Sequence, residues 1–267
     1  MTPLERLYEA EGLPAGALTD ELERLYDGTL ALEEPRLYAN FVATLDGVVA
    51  IPAIPESNTI VAAGSKADHF VMGLLRALAD VVLIGSGVLR AAPQGTWLPE
   101  KVYPPAADAF AELRRQRGRP ERPEVAVLTG RGSIDPVHPL LASGAVVLTS
   151  ERGAAHLGAL PEASTVLAIG ADVELPAQAI VGALHDRGHR LILAEAGPHA
   201  FGSLLEGGAV DELFLTVSPL LAGDAGPDSR LHLVEAADLL PPLGLRLLSL
   251  RRHDEHLFAR YELPVRA

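Results

Sequence analysis

From residue 37 to the end of the chain, short apolar runs alternate with amphipathic stretches, and this alternation restricts the fold more than any other feature. The runs LYANFVA (37–43), ADVVLIG (79–85), EVAVLT (124–129), AVVLTS (145–150), STVLAIG (164–170) and HRLILAEA (189–196) are rich in Val, Ile, Leu and Ala and carry few charges. Runs of that make-up are expected of strands buried on both faces. Helices fit between them at SKADHFVMGLLRALA (65–79), AADAFAELRRQRG (106–118), PAQAIVGALHDRG (176–188) and PHAFGSLLEGG (198–208). Strand–helix alternation implies an α/β fold with a mainly parallel central sheet flanked by helices. VDELFLTVSP (210–219), LGLRLLSLRR (243–252) and EHLFARYEL (255–263) follow, the last two joined at His253-Asp254, which predicts an antiparallel C-terminal hairpin at the sheet edge. The segments 47–64 and 90–105 read as long helix-free loops, the kind that often bind ligands. Residues 1–35 read as a helical extension, with Thr19 and Asp20 as caps before ELERLYD and Pro35 as its end, and residues 36–267 as the main domain.

Composition narrows the function. A net charge of −13 argues against a nucleic-acid partner, because affinity for phosphate backbones comes largely from Lys and Arg. An acidic chain still binds an anionic cofactor through helix N-termini and glycine-rich backbone. The chain has no cysteine, which excludes disulfides, thiolate catalysis and Cys-ligated metals. His185 and His189 stand four apart, but Gly188 intervenes and no acidic third ligand is evident, so no metal site is expected. No uncharged apolar stretch is long enough for a membrane span, and the acidic start MTPLERLYEAEG lacks a secretory pattern, so a cytoplasmic location is expected.

Three strand-to-helix junctions carry chemistry. In LIGSGVLR (83–90), Gly85 and Gly87 follow a buried strand and let the backbone approach a ligand, although Arg90 stands where a dinucleotide fingerprint has its third glycine. In VLTGRGSIDP (127–136), Thr129 opens into Gly130-Arg131-Gly132-Ser133, a guanidinium among hydroxyls suited to a 2′-phosphate. In LILAEAGPHAFGSLLEGGAVDELFLTVSPLLAG (191–223), an apolar strand delivers Glu195, then Gly197, then Pro198 at the favoured first position of a helix whose start is an anion site. Ordinary explanations compete with each of these: a plain turn, a solvated arginine and a helix-capping carboxylate.

The 191–223 segment resembles the corresponding block of the pyrimidine reductases of riboflavin biosynthesis. TLDG (44–47), SKADHFVMGLLRALADVVLIGSGVLRA (65–91) and HLFARYEL (256–263) resemble that family's other motifs in the same order, so the likeness runs from about Leu37 to the C-terminus. The resemblance implies a dihydrofolate-reductase-like fold and an NADPH-dependent enzyme in stand-alone form, without a deaminase domain. It assigns cofactor contacts to Ala43, Gly85, Gly87, Val88, Thr129, Gly130, Arg131 and the helix start Gly197, Pro198, His199, Ala200, Phe201, Gly202 and Ser203. It makes Asp68 and Glu195 the catalytic candidates, and Thr44, Asp46, Ser57 and Trp97 are read as substrate contacts. It also implies a homodimer, with VDELFLTVSP expected to pair or pack across it.

One loop departs from the family pattern. RAAPQGTWLPEK (90–101) has Ala92 in place of the family's aspartate and no clear match to its phosphate-binding arginine, with Lys101 and Arg90 as the nearest cations. That loses charge-assisted donors for a ribose phosphate and points to an uncharged pterin or pyrimidine, with Trp97 packing against the ring. The alternative is an NADP-binding protein of the same fold that has lost the pyrimidine site.

Overall fold

The computed structural model describes residues 1–54, 56–224 and 230–264. In chain order the first half comprises β1 (Glu5–Glu9), α1 (Asp20–Tyr26), β2 (Arg36–Ala43), β3 (Val48–Ala50), α2 (Asn58–Val61), α3 (Lys66–Leu78), β4 (Val81–Gly85), α4 (Ser86–Ala91), α5 (Pro99–Val102), a 3-10 turn (Pro104–Ala106), α6 (Ala107–Gln116) and β5 (Glu124–Thr129). The second half comprises α7 (Pro139–Ser143), β6 (Val146–Thr149), α8 (Glu151–His156), β7 (Thr165–Ala168), α9 (Ala177–Asp186), β8 (Leu191–Glu195), α10 (Pro198–Glu206), β9 (Glu212–Val217), β10 (Leu231–His232), β11 (Arg246–His253) and β12 (His256–Glu262).

The main sheet runs β1-β11-β12-β9-β2-β8-β4-β5-β6-β7. From β9 to β7 every neighbouring pair is parallel, and β12, β11 and β1 add on antiparallel. This is the dihydrofolate-reductase-like α/β architecture that the sequence implied. Apart from the edge run STVLAIG, the apolar runs became strands because each serves two cores. In β2, Tyr38 joins the core under α1, α3 and α6, while Leu37, Ala39 and Phe41 join the core under α9 and α10. Alternate side chains leave opposite faces, so both had to be apolar. No helix among the described residues is long and apolar enough to cross a membrane.

The structure corrects several expectations. Residues 1–35 hold more than helix and loop: β1 pairs with β11 from Glu5↔Arg252 to Glu9↔Ser249, so β1 and not the C-terminal hairpin forms that edge. Its sequence ERLYE is exposed and mostly charged, and only its neighbour makes it a strand. The segments 47–64 and 90–105 are not helix-free, since they contain α2, α5 and the 3-10 turn. β3 also pairs with β10 in a separate two-stranded sheet. β7 is the opposite edge and largely exposed, not buried on both faces. β9 is flanked by β2 and β12, so VDELFLTVSP has no free edge with which to pair across a dimer.

Candidate functional site

The three junctions converge because their strands are neighbours. β2, β8, β4 and β5 lie side by side and parallel, so Ala43, Glu195, Gly85 and Thr129 all end at one rim of the sheet. The crevice beyond the carboxyl ends of parallel strands is the usual ligand site of such folds.

At the centre of that rim, Gly197 caps α10 with φ 81°, a left-handed conformation that a side chain would strain. Pro198 lacks an N–H, and helix geometry leaves the next amides, at His199 and Ala200, without intrahelical acceptors. These amides and the helix dipole fit a diphosphate. Along the rim, the Thr149 and Ser150 hydroxyls donate to the carbonyls of Thr129 and Gly130, both at 2.6 Å, and fix the loop that carries Arg131. Arg131 is exposed and makes no hydrogen bond or ion pair with any described residue. Gly87 is open to solvent and Val88 packs beside Gly197.

Other expected cofactor contacts are used differently. Phe201 is 1% exposed and packs on Phe41, ring centres 4.7 Å apart, so its side chain belongs to the core. Pro198 is buried, and Gly202 lies against the Glu235 backbone. A Cβ at Gly130 would strike the Val173 backbone, and one at Gly85 the Ala196 carbonyl, so close packing within the chain already requires both glycines. What α10 can offer a ligand is its first-turn backbone with His199, Ala200 and Ser203.

The catalytic candidates lie on the α3 face of the sheet. Asp68 is the third residue of α3, and its N–H donates to Ser65 Oγ at 3.2 Å. In a capping box the acid would return a bond to the Ser65 N–H, but that N–H donates to the Ala62 carbonyl at 3.0 Å. Instead the Asp68 carboxyl is buried close to the Thr216 hydroxyl of β9. Burial pushes its pKa above the usual carboxylate range, opposed by Thr216 and by nearby His69 and His256, while the charge of Glu195 adds to the rise. A buried acid that favours its protonated form can donate a proton or a hydrogen bond.

Glu195 is not free. Arg76, on the last turn of α3, grips it as a fork: Nη2 at 2.6 Å and Nε at 3.1 and 3.2 Å from the two carboxylate oxygens. The expected catalytic Glu195 therefore faces any ligand with its charge balanced. Sequence reasoning missed Arg76, although a lone cation near the end of the apolar stretch FVMGLLRALA called for a buried partner. Arg114 was missed too: its Nη1 reaches the carbonyls of Ala77 and Ala79 at 3.0 and 2.7 Å and caps α3 from α6.

The expected substrate contacts are spoken for by the chain itself. Thr44 donates to Asp46 at 2.5 Å and accepts from the Val48 N–H at 3.0 Å, building its own turn. Asp46 accepts from Ala222 and Gly223 amides at 3.1 and 2.7 Å, clasping that turn to the loop after β9. Ser57 is buried and accepts from the Ile51 N–H at 2.9 Å. Trp97 is only 5% exposed and sits in the α3 core, packed against the chain where a substrate ring was expected. The loop before it is tied down by His138, whose Nε2–H donates to the Ala92 carbonyl at 3.0 Å while Nδ1 accepts from Leu140.

The Asp46 clasp gives a pH prediction. Its pKa is lowered to about 2, first by Thr44 and then by the two amides. A depressed acid lends stability above its unfolded pKa and loses it as pH falls through the folded one. The protection of the Ala222 and Gly223 amides, relative to free-peptide exchange at the same pH, should therefore be full above about pH 4 and be lost as the pH approaches 2. Asp46→Asn should abolish that pH dependence. An unchanged exchange profile in the variant would show that the clasp does not depend on the charge.

Comparison with known proteins gives the family and the fold. The family model described as the RibD C-terminal domain matches residues 35–257. No curated protein matches the sequence. Among solved structures, the chain is similar to a pyrimidine reductase-like protein from Corynebacterium diphtheriae, with TM-score 0.66 and 20% identity over 86% of this chain and 92% of that one. It is also similar to RibD from Acinetobacter baumannii, with TM-score 0.64 and 20% identity over 86% of this chain and 58% of that one. Riboflavin Biosynthesis Reductase Rib7 from Saccharomyces cerevisiae shows TM-score 0.56 and 13% identity over 89% and 94% of the two chains.

Proposed function

The chain belongs to the RibD C-terminal domain family, and from that premise we propose that it is an NADPH-dependent reductase of a pyrimidine- or pterin-like substrate. The observation that carries this reading is the convergence of two kinds of group at one end of the sheet. A helix start with free amides and an unpartnered arginine lie along it, and a buried acid faces the adjoining α3 side. When bound, the nicotinamide supplies the hydride. The first turn of α10 holds the diphosphate, and Arg131 meets the 2′-phosphate. Asp68 gives its carboxyl proton to the reduced substrate, and α3 and β9 exclude water from it. Glu195, fixed by Arg76, keeps the wall between them rigid. Between Ala92 and Leu98 the loop has no charged side chain, Lys101 follows only on α5, and Arg90 already donates to the Ser133 carbonyl at 3.3 Å, so we infer a substrate with little or no phosphate.

Calorimetric titration tests the cofactor half. NADPH should bind more tightly than NADH, and Arg131→Ala should weaken NADPH by about 1–3 kcal/mol, the range for a charge-assisted contact, while sparing NADH. Equal affinities in the unmodified protein would overturn the assignment. A second reading, cofactor binding without catalysis, is favoured by the internal engagement of Thr44, Asp46, Ser57 and Trp97. NADPH oxidation with the ribosylaminopyrimidine phosphate and with dihydrofolate separates the two: saturable turnover of either supports the reductase, and tight binding with neither turned over supports the alternative.

A further inference from the structure

One buried side chain joins the loop after α4 to the loop after β5. His138, 6% exposed, caps α7 at the far end of the segment that carries Arg131. Its Nδ1 accepts the Leu140 N–H at 3.2 Å, and an amide N–H can only donate, so Nδ1 is bare and Nε2 is the donor. Nε2–H reaches across to the Ala92 carbonyl at 3.0 Å. The same carbonyl takes the Gly95 N–H at 2.8 Å, which closes the turn over residues 92–95. A second tie between the loops, from Arg90 Nη1 to the Ser133 carbonyl, is exposed and longer at 3.3 Å.

That turn leads into a strained residue. Trp97 sits at φ 52°, a left-handed conformation that a tryptophan keeps only where its surroundings hold it. Its indole fills the space at Gly95, where a Cβ would lie 2.7 Å from the ring, and its ring centre is 6.3 Å from that of His138. A segment under such strain relaxes when one of its holds is released. His138 is the buried hold that comes from the Arg131 side. That side is itself anchored: Thr149 and Ser150 pin Thr129 and Gly130, and Gly132 packs on the Gly153 backbone. A ligand on Arg131 therefore restrains a short span whose far end is His138, and the restraint passes to Ala92.

We propose that His138 is a positioning residue that couples the two ligand sites. Cofactor on the Arg131 loop steadies the Ala92–Leu98 loop through the bond from Nε2 to the Ala92 carbonyl. By linkage, substrate against that loop tightens cofactor binding by the same factor. The inference rests on the reductase reading for the identity of the two ligands.

The test reads binding rather than turnover. Amide exchange at Gly95 and acrylamide quenching of Trp97, the chain's single tryptophan, report the loop with and without NADP+, and calorimetry measures the binding itself. In the unmodified protein NADP+ should slow both about fivefold, the lower end of ordinary coupling. Two variants then divide the imidazole. In His138→Asn the side-chain oxygen stands where Nδ1 was and caps α7, but nothing reaches Ala92, so the cofactor effect should vanish while the melting point holds. In His138→Gln the amide nitrogen reaches Ala92 as Nε2 did and the cap is lost, so the effect should persist while the melting point falls. A response that follows the melting point instead makes His138 merely structural and overturns the proposal. So does NADP+ that binds and leaves Gly95 and Trp97 unchanged, a result the unmodified protein yields even if both variants fail to fold, and the reductase reading survives it. Absence of NADP+ binding overturns both.

Discussion

Asp68→Asn should lower turnover about 100- to 10,000-fold, the usual worth of a positioned general acid, while NADPH binds as before. Asparagine keeps the size of the side chain, but it has no proton to give. The fold should not suffer. Asp68 is 3% exposed, and an ionised carboxylate there would be costly, so the neutral amide is as stable or more so. The pH dependence has a definite sign. Burial raises the folded pKa above the unfolded one, so the folded state holds the proton more tightly and this group's contribution to stability declines as pH rises from the ordinary carboxylate range toward the folded value. Urea midpoints of the unmodified protein should fall relative to Asp68→Asn over that window. Steady-state kinetics on whichever ring the enzyme reduces decides the matter: a loss of only a few-fold would make Asp68 a structural acid and move the proton source elsewhere.

The fold was legible where a strand had to satisfy two cores. EVAVLT was read with its ends at Glu124 and Thr129, and the other inner parallel strands within two residues, because burial on both faces leaves an unbroken apolar run. β1 was not legible. ERLYE needs nothing of its own sequence to be a strand beyond a neighbour, and that neighbour, β11, is more than 200 residues away in the chain (Glu5↔Arg252). The site divides the same way. Gly197-Pro198 and Thr129-Gly130-Arg131 announce themselves because polar and glycine residues interrupt apolar strands at their ends. Glu195 announced itself too, but its partner did not, since the meeting of Arg76 with Glu195 depends on which helix covers which strand. Trp97 was misjudged for the opposite reason. It stands in a segment without periodicity, and only the packed structure shows that the segment folds its one indole inward. Thr216 carried a faint signal: the only hydroxyl in ELFLTV, on the same side of the strand as Phe214, where a core position would ordinarily be aliphatic.

Deleting residues 1–35 should abolish cooperative folding, although the family match begins only at residue 35. The segment contributes Leu4, Leu18, Leu22, Leu25, Tyr26, Leu30 and Leu32 to the core that also holds Phe70, Leu74, Phe214 and Phe258. Removing it also removes the entropy of ordering it, so what matters is the surface uncovered on the remainder. Tyr26 lines one pocket with Val71, Phe214 and Phe258, beside Asn40 and Thr216. Its ring lies 3.9 Å from the Arg251 guanidinium, which also reaches the Tyr26 carbonyl and Glu9, both at 2.7 Å. The Arg260 guanidinium would lose the Ala31 carbonyl, and β11 would become a bare edge beside an apolar face. Each large apolar side chain left in water forfeits about 1.5–3 kcal/mol, and a handful of them equals the whole stability of an ordinary domain, about 5–15 kcal/mol. Residues 36–267 expressed alone should aggregate or melt without a sharp transition, in circular dichroism and calorimetry alike. A single point change gauges the same dependence: Leu22→Ala, at a fully buried site, should cost about 2–5 kcal/mol in urea unfolding of the intact chain. A truncated protein that melts cooperatively within a few degrees of the full chain would show that the extension is an ornament, and that the floor under Asp68 is built by the sheet and α3 alone.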